Sequence, residues 1–395
     1  MLSTSLAKLD SSSAEYATRF VDLALRAARE TGASDVHFQP TSEGLEIAWR
    51  LDGVLQSLGR FPAGTTTDVV TRLKILAQLL TYRVDIPQEG RIRESTSDSE
   101  WRVSTFPTLH GERAVVRQVS QSRIVRRLNE LGLPTDVEST LERLLDQTSG
   151  AVVFTGPAGS GKTTTAYACL RTLVERAESR RSIVTLEDPI EAPIAGVAQS
   201  QIQPQAGFDL ATGMRSVLRQ DPEVILVGEI RDRETAEGVF NAALTGHLLF
   251  STFHAGSAAG AITRLSEMGI EPYLLRSALL AVVHQRLFRR LCSCAQPTSV
   301  SPDATLGFAV DALWRPVGCE QCQRTGFRGR VALAELLLTA PDDLGRAILS
   351  RDDAPRLEAL ARESGLVPVR EQACAAISAG LTTPLEVLRV LGRAD

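Results

Sequence analysis

One glycine-rich loop, with what stands on either side of it, constrains the fold of this chain more than any other feature. Gly156-Pro157-Ala158-Gly159-Ser160-Gly161-Lys162-Thr163 fits the pattern G-x-x-x-x-G-K-[ST]. An apolar, β-rich run, 151–155, precedes it, and a helical stretch, Thr164 to Glu178, follows. Strand, loop and helix in that order let backbone N–H groups cradle phosphate oxygens, with the positive end of a helix dipole behind them. In such a loop Gly156 to Thr164 line the cradle, Lys162 reaches the β- and γ-phosphates, and the Thr163 hydroxyl ligates Mg²⁺. The expectation is a protein that binds a nucleoside triphosphate such as ATP.

The surroundings of the loop predict an α/β sheet. Runs at 151–155, 182–186, 223–227 and 247–252 are continuously apolar, as in parallel strands covered on both faces. Helical stretches, including 163–178 and 209–219, lie between them, which gives a doubly wound α/β core. Upstream, Ser12 to Glu15 has the spacing of a capping box for a helix running to about Thr31, with Gly32 as its left-handed end. Leu45, Ile47, Trp49 and Leu51 alternate as in a half-buried strand, and Asp52-Gly53 signals a hairpin. Val69 to Leu80 has helical spacing, and Trp101 to Val119 reads as two strands around Pro107 to Gly111. The expected organisation is a small α+β domain at 1–122, a linker at 123–135, and a nucleotide-binding domain at 136–395. Within the last, a cysteine-bearing module occupies 290–332 and helices occupy 341–395.

Charge and hydropathy exclude some functions. The formal net charge is −4 and no run of five Lys or Arg occurs, so there is no electrostatic case for nucleic-acid binding. The N-terminal residues lack the apolar core of a signal peptide, and no apolar stretch reaches the roughly 18 residues that span a bilayer. A cytoplasmic protein that meets a membrane only through partners is expected.

Two acidic clusters follow apolar strands. Val224 to Gly228 ends in Glu229, which places a carboxylate where it could share Mg²⁺ with Thr163. Glu187, Asp188 and Glu191 sit at the carboxyl end of another strand, where open α/β sheets bind ligands. Hydrolysis needs a group that polarises the attacking water, and Glu187 is the choice. His247 and His254 frame the strand between them, a placement that suggests γ-phosphate sensing.

Taken together, these boxes resemble the bacterial type II secretion and type IV pilus assembly ATPases (GspE/PilB-like). The resemblance runs from about Ala33 to Leu337. Thr185 to Glu191 is similar to the family's Asp box, Leu218 to Asp232 to its Walker B segment, and Thr245 to His254 to its His box. In the first domain, Ala33 to His37, Arg50 to Gly53, Pro87 to Arg91 and Arg102 to Glu112 resemble further family segments. The resemblance implies a RecA-like P-loop NTPase core preceded by a small α+β (PAS-like) domain. It also implies that Arg102, Arg113 and Arg117 direct positive charge at nucleotide phosphates. It implies a hexameric motor, peripheral to the inner membrane, that acts on an inner-membrane platform protein and assembles a pilus or pseudopilus.

The chain departs from the family in three places. After His254 it reads Ala-Gly-Ser, where relatives usually have Thr-Asn-Asp. The additional N-terminal docking domain of longer relatives is expected to be absent. The first of the family's two C-x-x-C pairs is shortened to Cys292-Ser293-Cys294, while Cys319 and Cys322 keep the spacing. Four thiolates can hold Zn²⁺ and staple a loop too small for its own core, and the rival reading is a module that kept its fold and lost the metal. Retraction-type relatives lack these cysteines. A nucleotide-gated scaffold with little turnover, and a retraction or DNA-transfer ATPase, are the alternatives to an assembly motor.

Overall fold

The computed structural model describes residues 2–61, 66–93, 99–120, 126–176, 181–340 and 342–393. The chain divides into two compact units, Met1–Ile124 and Val125–Asp395.

The first unit has helices α1 (Leu2–Ala7), α2 (Tyr16–Thr31) and α3 (Thr66–Leu76) and strands β1 (Asp35–Thr41), β2 (Gly44–Leu51), β3 (Val54–Phe61), β4 (Gln88–Arg93), β5 (Ser99–Thr108) and β6 (Gly111–Ser120). The six strands form one sheet in the order β3-β2-β1-β6-β5-β4, with every neighbouring pair antiparallel. Phe20, Val21, Ala24 and Ala28 recur at helical spacing on α2 and are buried with Val36, Phe38, Ile47, Trp101, Val103 and Val116 of the sheet. Asp52 and Gly53, both at positive φ, make the two-residue turn between Leu51 and its partner Val54.

The start of α2 differs from expectation. Its first residue is Tyr16, and Glu15, in the cap position, makes no side-chain cap bond. The Asp10 carboxylate captures both the Ser12 N–H (2.9 Å) and the Ser12 hydroxyl (2.6 Å), so that serine is not free to cap a helix.

The second unit carries strands β7 (Gly150–Thr155), β8 (Ile183–Glu187), β9 (Ala198–Gln201), β10 (Val224–Val227), β11 (Leu248–Phe253), β12 (Leu279–Leu291), β13 (Gln296–Thr298), β14 (Leu313–Arg315) and β15 (Phe327–Leu338). Its helices are α4 (Thr135–Leu144), α5 (Lys162–Glu175), α6 (Leu210–Val217), α7 (Arg233–Leu244), α8 (Ala258–Glu267), α9 (Pro272–Ala278), α10 (Pro302–Thr305), α11 (Asp342–Leu349), α12 (Ala354–Glu363), α13 (Val369–Ser378) and α14 (Pro384–Leu391). The main sheet has the order β15-β12-β7-β11-β10-β8-β9. It is parallel from β12 to β9, and β15 runs antiparallel to β12. Two separate apolar clusters cover its faces, one around Val153, Ile225 and Leu249, the other around Val152, Phe154, Leu226 and Phe250. Alternate residues of the same strands feed opposite clusters, which is why these strands read as unbroken apolar runs.

The long β12–β15 pair was not legible in advance, and the end of β12 and the start of β15 enter the span expected to be a cysteine module. Helix α5 ends at Glu175 because Arg176 turns extended; the expected continuation to Glu178 lies outside the described residues, as do the expected domain boundary at 122 and residues 123–125 of the linker.

Candidate functional site

The carboxyl ends of β7, β10, β11 and β8 carry the glycine loop, Glu229, His254 and Glu187 on one edge of the sheet. The glycine loop leaves β7 and delivers the chain to α5, whose first residue is Lys162. Gly156 has φ +140°, and a Cβ there would lie 2.5 Å from the Gln285 carbonyl oxygen of β12. Glycine is required where the loop passes this close to a neighbouring strand. Lys162 is buried, and its Nζ donates to the Gly156 and Pro157 carbonyls at 2.8 and 3.0 Å. Burial pulls the pKa of this ammonium below the usual lysine value, against the raising effect of Glu229 and Glu191. Thr163 is half-buried and Thr164 exposed; Pro157, Ala158 and Gly159 are exposed. The Ser160 hydroxyl and the Thr155 hydroxyl are buried with no hydrogen-bond partner among the described residues. Orphaned donors in a glycine-rich loop at a helix N-terminus fit a phosphate-bearing ligand.

Glu229 follows β10 and His254 follows β11. Glu229 Oε2 accepts from Arg231 Nε at 2.7 Å, and Glu229 Oε1 lies 2.8 Å from His254 Nε2. The other ring nitrogen, His254 Nδ1, lies 3.1 Å from the Gly156 carbonyl. Glu229, His254 and the loop therefore form one connected group. Arg231 also reaches Asp188 at 3.5 Å. The sequence reading did not single out this arginine, although its place two residues after Glu229 was the available signal.

Glu187 ends β8 as expected and is 2% exposed. Its carboxylate accepts from the Tyr167 hydroxyl of α5, from Thr185 Oγ1 at 2.6 Å and from Gln199 Nε2 at 3.2 Å. Tyr167 was missed as well. Burial, then the bond to Glu187, drive its phenol pKa upward, so it stays a neutral donor.

His247 is not brought to this group. It precedes β11, at the end of the strand opposite His254, and its Nδ1 lies 3.0 Å from the Ala242 carbonyl at the end of α7. Because β11 lies parallel to β7, a residue before β11 stands beside the start of β7, whereas the glycine loop leaves the far end. Within one chain, His247 does not reach the loop.

The three arginines lie in the first unit. Arg117 Nε donates to Asp35 Oδ1 at 2.7 Å, Arg102 to Glu89 at 3.0 Å, and Arg113 Nη2 to His37 Nδ1 at 3.0 Å. Burial and the Arg113 charge hold the His37 pKa below its ordinary value.

The four cysteines of 292–322 form a second centre, and all four thiol sulfurs lie within 4.8 Å of one another. Cys292–Cys319, Cys319–Cys322 and Cys294–Cys322 sulfur separations are 3.8, 3.8 and 3.9 Å. The edge of a tetrahedron with Zn–S bonds of about 2.3 Å is about 3.8 Å. The Cys319 and Gly326 N–H groups donate to Cys322 Sγ at 3.1 and 3.3 Å, contacts that favour a thiolate. The shortened Cys292–Cys294 turn therefore still brings four sulfurs close enough to share one metal ion. Cys169 is fully buried in α5 and Cys374 stands apart on α13; neither belongs to the cluster.

A RecA-like sheet with a phosphate loop and an acid at its carboxyl edge defines a P-loop nucleoside triphosphatase. The model of the family "Type II/IV secretion system protein" matches residues 10–389. The chain is 39% identical over 390 residues, 97% of its length and 78% of the other's, to the "Putative type II secretion system protein E" of Escherichia coli (strain K12). It is 37% identical over 391 residues to the "Type IV pilus assembly ATPase PilB" of Thermus thermophilus, covering 96% of this chain and 43% of that one. The Yersinia pseudotuberculosis ATPase DotB shares the fold, with a TM-score of 0.70 at 21% identity over 98% of this chain and 95% of that one. The protein belongs to the type II/IV secretion system protein family and is an ATP-hydrolysing member of its GspE/PilB class. Among the described residues no helix is long and apolar enough to cross a membrane.

Proposed function

We propose that this chain is a motor subunit that couples ATP hydrolysis to assembly of a type II secretion pseudopilus or a type IV pilus. The observation that supports it best is the linkage Gly156–His254–Glu229, which ties the phosphate loop to the acid of the neighbouring strand. Gly156 to Thr164 hold the triphosphate, Lys162 leaves the loop carbonyls for the phosphates, and Thr163 and Glu229 hold Mg²⁺. The metal supplies charge neutralisation at the phosphate oxygens. Glu187 polarises water, His254 reads the γ-phosphate through the loop, and Arg102, Arg113 and Arg117 contribute positive charge to the phosphoryl group. His247 is assigned a role outside its own chain's loop.

The first unit serves as a PAS-like domain. The organisation is a domain at 1–122, a linker at 123–135 and the ATPase domain at 136–395. Subunits form a ring, a hexamer by analogy, that works in the cytoplasm against an inner-membrane platform protein. Cys292, Cys294, Cys319 and Cys322 hold a structural Zn²⁺, which favours the assembly branch over retraction.

Steady-state ATP hydrolysis by the purified protein tests the reading. Lys162→Ala and Glu229→Gln should each lower kcat by a factor on the order of 10² or more. Unchanged turnover in Lys162→Ala removes the assignment, and negligible turnover in the unaltered protein leaves a nucleotide-gated scaffold.

A further inference from the structure

The β12–β15 hairpin loses its regular alternation at one place, and a cleft opens there. The register shifts between Arg289 and Leu291, while on the partner strand Gly329 adopts φ +74°. A bulge re-aims the side chain it carries. Arg289 turns inward to Glu386 at 2.8 Å, whereas Arg290 is exposed and lines the cleft. Arg328, also exposed, lines it too, together with Ser293, Trp314 and Gly380. The cleft is open to solvent and has a volume of about 670 Å³. The Trp314 indole lies so close to the α13–α14 turn that a Cβ on Gly380 would stand 2.8 Å from its ring, which fixes the indole as one wall.

Neither Arg290 nor Arg328 pairs with a carboxylate among the described residues. The adjacent Arg289, by contrast, is matched to Glu386. Two unmatched guanidinium groups beside an aromatic wall attract an anionic group that carries apolar surface. A flat bilayer does not fill a concave site, whereas a single extended chain does.

The geometry points to a docking site for an acidic peptide segment of a protein partner. Its carboxylates sit on Arg290 and Arg328 and an apolar side chain rests on Trp314. The site lies outside the nucleotide-binding residues and does not depend on the motor reading.

Fluorescence anisotropy on the full chain tests it, with a fluorescein-labelled decapeptide alternating Glu and Leu as the probe. Binding should be saturable and should weaken with salt. The double substitution R290Q/R328Q should weaken it at least tenfold, and Trp314→Ala at least threefold. Arg324→Gln with Arg330→Gln, basic residues of the same module outside the cleft, should change it less than twofold. Equal losses from the two pairs would mean undirected surface charge and overturn the proposal. So would absence of binding, or tighter capture of phosphatidylglycerol vesicles through the same two arginines. Basal ATP hydrolysis, read on the same samples, stays at the unaltered level in the cleft variants; its absence from the unaltered protein overturns the motor reading alone. Melting temperature and zinc content report whether each variant is folded, and Trp314→Ala decides the matter if the double variant is not.

Discussion

His254 Nε2 lies 2.8 Å from Glu229 Oε1, while the opposite ring nitrogen faces the Gly156 carbonyl at 3.1 Å. Both neighbours offer oxygen acceptors, one to each side of the ring. The histidine thus bridges the loop and the acid. His254→Gln can satisfy one side at a time, and kcat should fall by about 10- to 100-fold with a smaller change in KM. Steady-state kinetics checks this, and an unchanged kcat would make the contact structural.

Tyr167→Phe removes one of the donors to the buried carboxylate of Glu187 and leaves the shape of α5 intact. A buried acceptor that loses a partner costs about 1–3 kcal/mol. A lower midpoint in urea unfolding is expected. Turnover should change more than nucleotide affinity, because the altered group is the proposed water-polarising acid.

His284 carries a pH prediction. It is 3% exposed on β12, and burial, followed by the charges of Arg286 and Lys162, lowers its pKa to about 3. The unfolded chain takes up this proton near pH 6.5 and the folded chain does not, so folding loses stability as pH falls from about 6.5 to about 3. The loss reaches on the order of 5 kcal/mol at the low end. His284→Gln, which carries no titrating group, should flatten the dependence of unfolding free energy on pH across that window. A slope identical to that of the unaltered protein would contradict the assignment.

Lys74 is fully buried, with its Nζ bonded to Glu112 at 2.8 Å and to the Arg83 carbonyl at 2.7 Å. Lys74→Met strands the Glu112 carboxylate at 8% exposure. Breaking one side of such a pair costs about 3–5 kcal/mol, whereas replacing both partners with apolar groups costs much less. Thermal unfolding of Lys74→Met beside the double variant with Glu112→Leu should show the double variant as the more stable.

Metal removal tests the cysteine centre. The protein should contain one zinc per chain by elemental analysis, and Cys294→Ser should lose it. A melting temperature that falls on chelation in the unaltered protein but not in the variant is the expected pattern. A zinc-free native protein would leave the cluster as four reduced thiols.

What the sequence made legible follows from how local each signal is. Glycine spacing is set by backbone approach, so the loop at 156–161 stood out, and β7, β8, β10 and β11 were visible as apolar runs because both of their faces are covered. Tyr167 and Gln199 escaped because their role comes from meeting Glu187 across the fold, which no spacing records. His247 and His254 were legible as framing one strand, and the structure places them at its two ends, with His254 alone beside the loop. The capping box at Ser12 failed on a competing acceptor two residues upstream. The β12–β15 pair was missed because Arg286, Arg289, Arg328 and Arg330 interrupt its apolar pattern.

Strand β12 touches the glycine loop at Gln285 and runs on to Leu291, one residue short of the first cysteine. About 23 Å of extended backbone, at roughly 3.3 Å per residue, therefore separates the loop contact from Cys292. Past His284 this stretch pairs with β15 alone, and its register shifts between Arg289 and Leu291, so a bulge stands between the loop contact and the cysteines. A displacement of Gly156 toward Gln285 would pass along this strand and meet that bulge just before the cysteines.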